Sequence, residues 1–440
     1  MSTLASRGPA TVPPSAAPNG LVDSLGARRI MVVLLCAYSL VGPLIETLVT
    51  DRSAYIEGKT ATAPAAAAIA EVGSMLVPAV AASAALLFLL FSQVSGPGLL
   101  VVVLPGLLLA ANEFLHGRPP SLGLLLTAAG GVLLVTVRVK PPDLVVLGYV
   151  GTAVAAGSIV AMYVDPSSVL ISGGVGLFEK SITGAPLLAG IFSHSNILGM
   201  FLAFTLPFVF LMRAWPLRWL SFGVIVWALI LTSSRTALVG AAVMVAVLLL
   251  SRLLSRVAFV VVSGAGAVVA LIAVILLPFR ETDPQAFTYR GAIWIHSRQA
   301  LGDNGVFGLG AHWYADNYLA LRDTLSSAAS HGHNLVLTTL ILGGAFVLAG
   351  WLVVIFLAFR GAASDPVRST SVVGVAFVLG LLAIGATETP YALVGWGPLS
   401  ASVLVPLFVL ATRPWIERDE LAAQAPPTTR AEARRRQRNR

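Results

Sequence analysis

Apolar runs of about 20 residues recur along almost the whole chain, and this restricts its fold more than any other feature. A helix needs roughly 17–25 such residues to cross a bilayer. Spans are expected near 30–50, 66–91, 98–112, 121–137, 144–164, 186–212, 216–233, 236–251, 257–279, 333–359, 369–387 and 392–412, twelve in all. Pro43, Pro78, Pro105 and Pro207 fall inside spans, where neighbouring helices can resolve the freed backbone groups. The runs are too long for membrane strands and do not alternate, which excludes an outer-membrane barrel. Charged residues make up 11% of the chain, against about 25% in soluble domains. That excludes a soluble enzyme, a disordered chain and a nucleic-acid binder. The expected fold class is all-α, a polytopic integral membrane bundle of about 12 transmembrane helices.

The basic residues test this topology through the positive-inside rule. With a cytoplasmic N-terminus, nineteen of the 28 lysines and arginines fall inside and nine outside. Each internal cytoplasmic loop after the first carries two of them, whereas the first, near 92–97, carries none. The expected organisation is a disordered cytoplasmic tail (1–27), helices one to nine (28–279), a large external loop (280–332), helices ten to twelve (333–412) and a basic cytoplasmic tail (413–440). The tail RAEARRRQRNR suits an anchor at anionic lipid headgroups. The single cysteine, Cys36, lies in an apolar run, so there is no disulfide framework or thiolate metal site.

Long loops are uncommon unless they work. In the external loop, Tyr289 to Leu301 reads as a short helix with Arg290, Trp294, Arg298 and Leu301 on one face, followed by a turn at DNGVFGLG. Arg235 sits at the external junction of the seventh and eighth spans, after a Ser233-Ser234 pair suited to a turn or cap. Taken alone it reads as an interfacial arginine that snorkels to headgroups. His333 follows Gly332 at the start of an apolar run, where the helix dipole disfavours imidazolium and keeps the ring able to accept a proton. It also reads as a polar cap together with Asn334. His194 and Asn196, near the outer end of the sixth span, fit either a cap or a substrate contact. His331 and His333 stand two apart with no carboxylate at helical spacing, so no metal site is expected.

The topology brings Arg235, Arg290 and His333 to one side of the membrane. Two guanidiniums can clamp a diphosphate, and a neutral imidazole can deprotonate a hydroxyl. These are the parts of a glycosyl transfer from a polyprenyl diphosphate-linked sugar.

The same stretches resemble the bacterial O-antigen ligase and O-antigen polymerase superfamily. HNLVLTTLILGG, from His333, resembles its late histidine signature, and SSRTALVG its Ser-Arg element. YRGAIWIHSRQALGDNGVFGLG resembles the large-loop element, and GIFSHSNILGMF the His-Pro-Asn element with Ser195 in place of proline. The resemblance is detailed over 190–350 and rests elsewhere on the span pattern. It implies an active site at the outer face of the cytoplasmic membrane, with no cofactor and no metal. His333 would be the base, and Arg235 and Arg290 would hold the diphosphate. Asn334, Arg298, Asn196 and His194 are secondary candidates. An acceptor hydroxyl would attack the anomeric carbon directly, with inversion. The implied partners are a polyprenyl (undecaprenyl-type) diphosphate-linked donor, a glycan, glycolipid or protein acceptor, and membrane lipids. Ligase and polymerase are not distinguished. The alternative is a solute transporter, which needs ionisable groups deep in the bundle. Glu46, Glu71, Glu113 and Glu388 lie toward span ends, which counts against it.

Overall fold

The computed structural model describes residues 25–49, 80–90, 94, 96–171, 181–325, 329–391, 393 and 395–424. Residues 1–24, Glu71 and the basic tail from 425 lie outside the described residues, as does most of the second predicted span. The helices are α1 (Leu25–Val49), α2 (Val80–Leu90), α3 (Gly96–Leu115), α4 (Leu122–Thr136), α5 (Val145–Val164), α6 (Ser195–Thr205) and α7 (Trp215–Thr232). They continue as α8 (Arg235–Leu253), α9 (Arg256–Arg280), α10 (Ala286–Leu301), α11 (Tyr318–Leu325), α12 (Leu335–Ala363), α13 (Arg368–Gly385) and α14 (Ser400–Gln424). The fold is an all-α membrane bundle. Eight of the described helices are long and apolar enough to cross a membrane. Each of the twelve predicted spans overlaps one helix, but α2, α4, α6 and α14 fall outside those eight, so twelve remains an expectation.

The order of the elements follows local chemistry. Pro141 and Pro142 open a single turn before α5, and Asp143 caps it by accepting from the Lys140 amide at 3.1 Å. The same carboxylate takes the Arg28 guanidinium of α1 at 2.8 Å. Nearby, Arg368 donates to Leu254 O at 2.8 Å, Arg256 to Pro366 O at 3.1 Å and Arg413 to Gly361 O at 2.8 Å. The basic residues expected on the cytoplasmic side are thereby tied to their neighbouring loops. At the centre, α13 is buried nearly all round, packed by α6, α8, α9 and α12.

Three predicted elements differ. The sixth span was expected from 186, yet α6 begins at Ser195. The preceding stretch forms a short antiparallel pair, β1 (Leu170–Ile171) with β2 (Leu187–Leu188), and Gly190 then turns the chain at φ +57°. The twelfth span was expected from 392, but α14 begins at Ser400. Pro398 disfavours helix at Gly397 just before it, and residue 392 lies outside the described residues. The described residues just before α14 reach into the bundle, where Trp396 Nε1 donates to Ser39 Oγ in the middle of α1 at 2.7 Å. Third, DNGVFGLG is more than a turn. It fills a break in α12 at Gly344, whose φ is +69°. Ala345 N donates to Gly305 O at 2.9 Å, and Leu309 N to Ile341 O at 2.7 Å. A Cβ at Gly344 would lie 2.1 Å from Val306 O. Asn112 of α3 braces the break by donating to Phe307 O at 2.6 Å. Irregular backbone at membrane depth survives where such partners satisfy it.

Candidate active site

A pocket of about 590 Å³ opens at the end of the bundle opposite the Arg28–Asp143 pair. His194, Asn196, Arg235, Arg290, His331, His333 and Glu388 all line it. Each is delivered by a chain break at a helix end. α7 ends on Ser233 in the left-handed region (φ +50°), Ser234 precedes α8, and Arg235 is the first residue of α8. The Ser234 hydroxyl makes no cap bond, so of the turn or cap expected at this serine pair the turn is what forms. In α10, Phe287, Thr288 and Tyr289 all have positive φ, and regular helix begins at Arg290. His333 also has a positive φ of +45°. Left-handed backbone costs a non-glycine residue roughly 1–2 kcal/mol, and such strain collects at working sites. Trp294 holds this geometry by donating Nε1 to Gly332 O at 2.9 Å.

Glu388 joins these groups. Its side chain is 3% exposed. Oε1 accepts from Arg290 and, at 3.5 Å, from Asn196 Nδ2. Oε2 lies 3.0 Å from His333 Nδ1 and 3.5 Å from His331 Nε2. Arg290 also donates to Thr236 Oγ1 at 3.1 Å, and Thr236 shares a hydrogen bond with Thr387 at 2.9 Å. The rings of His331 and His333 are tilted against each other with centroids 4.0 Å apart.

The proton positions follow from this set. An ionised carboxylate only accepts, so His333 Nδ1 carries the hydrogen and Nε2 keeps its lone pair. Burial pushes His333 down to about 4, helped by His331 and Arg290 and opposed by Glu388. Burial alone would raise Glu388. His333, His331 and Arg290 instead hold it well below the usual carboxylate range. The site therefore pairs a neutral imidazole with an ionised carboxylate at neutral pH.

Three predicted site residues thus share one pocket: Arg235, Arg290 and His333. His194 and Asn196 line it too, and His194 Nδ1 also caps α6 by accepting from Asn196 N at 3.0 Å. Asn334 and Arg298 are not among its lining residues. Asn334 Oδ1 caps α12 through Leu337 N at 2.8 Å, while its amide donates to Val274 O and Ala386 O. Arg298 donates to Pro278 O at 2.5 Å and Glu281 O at 2.9 Å, closing the end of α9. Glu388 is absent from the site expected from sequence. The carboxylate that sequence spacing did not place near His331 and His333 is supplied by the fold. Donor atoms of His331, His333 and Glu388 lie within 4.8 Å of one another, a set that can hold a cation. In this arrangement Glu388 is already paired with Arg290.

Residues 220–352 match a family model described as O-antigen ligase. The match bears out the resemblance to the O-antigen ligase and polymerase superfamily and supports an enzyme role. It spans Arg235, Arg290 and His333 and ends before Glu388. A search among curated proteins found no match.

Proposed function

We propose that this membrane protein, with its O-antigen ligase family segment, transfers a glycan from a polyprenyl diphosphate carrier to an acceptor hydroxyl. One observation carries the reading: Glu388 binds the His333 imidazole and the Arg290 guanidinium in the pocket that Arg235 lines. The acceptor oxygen attacks the anomeric carbon as its proton passes to His333 Nε2. The bond from that carbon to the diphosphate oxygen breaks, and the electron pair leaves with the polyprenyl diphosphate. A single displacement inverts the anomeric centre. Negative charge grows on the leaving group, and Arg235 and Arg290 meet it where stabilisation counts most. A guanidinium has five N–H donors, so Arg290 can hold Glu388 and Thr236 and still face a diphosphate. The reaction needs no metal in this reading, because Arg290 supplies the positive charge beside Glu388.

A free His333 held near 4 is a weak base. A diphosphate bound beside the imidazole places negative charge near it, which favours the protonated ring and raises it, so the base strengthens when the donor is in place. The basic residues gathered at the opposite end support a cytoplasmic-membrane orientation, with both termini inside and the pocket outside. A transporter would want ionisable groups along a path. Glu113 and Glu388 are both buried, and each is engaged by fixed partners, Glu113 by the Ala311 amide at 3.0 Å with His312 3.4 Å away, and Glu388 by Arg290 and His333. The test is transfer by Arg235→Ala, Arg290→Ala and His333→Ala proteins that still insert and fold. Each should abolish transfer, and ordinary activity in any one removes its assigned role.

A further inference from the structure

The transfer just proposed needs a second substrate, and one wall of the pocket is unlike the arginine side. Tyr391 lies three residues beyond Glu388 on the same re-entrant segment and lines the same pocket. It is 2% exposed, and its ring packs on Trp351 of α12 with centroids 4.5 Å apart. Its hydroxyl has no hydrogen-bond partner among the described residues. Leaving a buried hydroxyl unpaired is unfavourable, so each such group in a folded protein calls for a reason.

Three other hydroxyls line the pocket nearby. Thr338 and Thr389 share a hydrogen bond at 2.8 Å, and Thr338 Oγ1 accepts from the Gly332 amide at 3.1 Å. Tyr314 OH shares one with Ser297 Oγ at 2.9 Å. A hydroxyl offers one donor and two acceptor positions, so each keeps capacity to bond a ligand. Tyr314, Thr338, Thr389 and Tyr391 are all neutral, and two of them flank Gly332, the residue before His333: its amide bonds Thr338, and a Cβ there would lie 2.6 Å from the Tyr314 hydroxyl.

We infer that this hydroxyl wall is the acceptor subsite and that it binds a neutral sugar. The assignment rests on the glycosyl transfer reading. A phosphate would be drawn to Arg235 and Arg290, which belong to the α8 and α10 side of the pocket. A polyprenyl chain would leave the Tyr391 hydroxyl unpaired against hydrocarbon. A sugar hydroxyl pairs it, and the threonines add the few convergent polar groups that fix a ligand's orientation. Because the Gly332 amide is bonded to Thr338, a sugar held here lies next to the base that must take its proton.

The test is Tyr391→Phe, which keeps the ring and its packing on Trp351. Wild-type and variant proteins in nanodiscs are given polyprenyl diphosphate-linked glycan as donor. Envelope extract from cells lacking this protein supplies the acceptor. The binding of undecaprenyl diphosphate is measured alongside. In the variant, the extract needed for half-maximal transfer rises about tenfold, the size expected for one lost hydrogen bond to a ligand. Donor half-saturation and undecaprenyl diphosphate binding stay as in the wild type. Removing an unpaired hydroxyl leaves the Tm equal or higher, so a general loss of fold does not mimic the result. An unchanged dependence on extract overturns the proposal, as does weakened undecaprenyl diphosphate binding, which would give the wall to the lipid. A wild-type protein that transfers nothing overturns the glycosyl transfer reading itself, and this subsite with it.

Discussion

Replacing Glu388 by glutamine changes one atom and should disable the site. Arg290 and His333 approach different oxygens of the carboxylate, Oε1 and Oε2. A glutamine offers one oxygen and one NH2 group. The guanidinium has only donors, so it claims the amide oxygen and turns the NH2 group toward His333 Nδ1. That nitrogen must then accept, which moves the imidazole hydrogen to Nε2 and removes the lone pair that takes the acceptor's proton. The wrong tautomer and the lost charge assistance to Arg290 act together. We expect kcat/KM for glycan transfer to fall on the order of 10³-fold, about 4 kcal/mol at 1.36 kcal/mol per tenfold. The assay is transfer from a lipid-linked donor by purified protein in nanodiscs, with equal monodispersity and Tm as the control for folding. Glu388→Asp, which keeps the charge on a shorter arm, should lose less. A Glu388→Gln protein within threefold of the wild type would refute the tautomer argument and the central place given to this carboxylate.

Other outcomes follow from the same geometry. With His333 pushed down to about 4 in the free protein, kcat/KM should stay level from pH 8 to about 5, where an ordinary imidazole near 6.5 would already have cost activity. The acid limb of kcat should lie at higher pH, because bound diphosphate raises the base, and coincident limbs would contradict that coupling. The unfolded chain protonates this histidine first, so its effect on stability is absent above about 6.5 and turns unfavourable as pH falls toward 4. Thermal unfolding across that window reads it directly. Transfer should persist in excess EDTA, and loss with rescue by a divalent ion would show that His331, His333 and Glu388 hold a working metal. Asn334→Ala should lower stability by about 1–3 kcal/mol, since it strips a buried cap and two buried carbonyl bonds. An unchanged Tm would refute that structural role.

Much of the site was legible because its parts advertise themselves locally. Arg235 follows a serine pair at a span junction, and His333 follows a glycine at the start of an apolar run. Helix periodicity and the positive-inside count then place both, with Arg290, at one end. Glu388 was hidden for two reasons. It stands 55 residues from its histidine, and an acid at a span boundary looks like an ordinary interfacial charge. Arg298 was read on one helical face with Arg290, yet eight residues at 3.6 per turn leave the two about 80° apart and about 12 Å along the axis, so they meet different neighbours. The re-entrant segments failed to show because hydropathy sees only apolar content. Residues 303–310 read as a loop turn and 396–399 as part of a span, while their glycines and prolines decide the backbone. The folding of DNGVFGLG into the Gly344 break depends on a pairing between distant segments that no local pattern contains.

The most direct measurement reconstitutes the purified protein with a polyprenyl diphosphate-linked glycan and an acceptor, and follows both products together. The account predicts that glycosylated acceptor and free polyprenyl diphosphate appear in equal amounts, with the anomeric configuration inverted, and that His333→Ala forms neither. Solute or donor crossing the bilayer without cleavage, at the same rate in the His333→Ala protein, would contradict it.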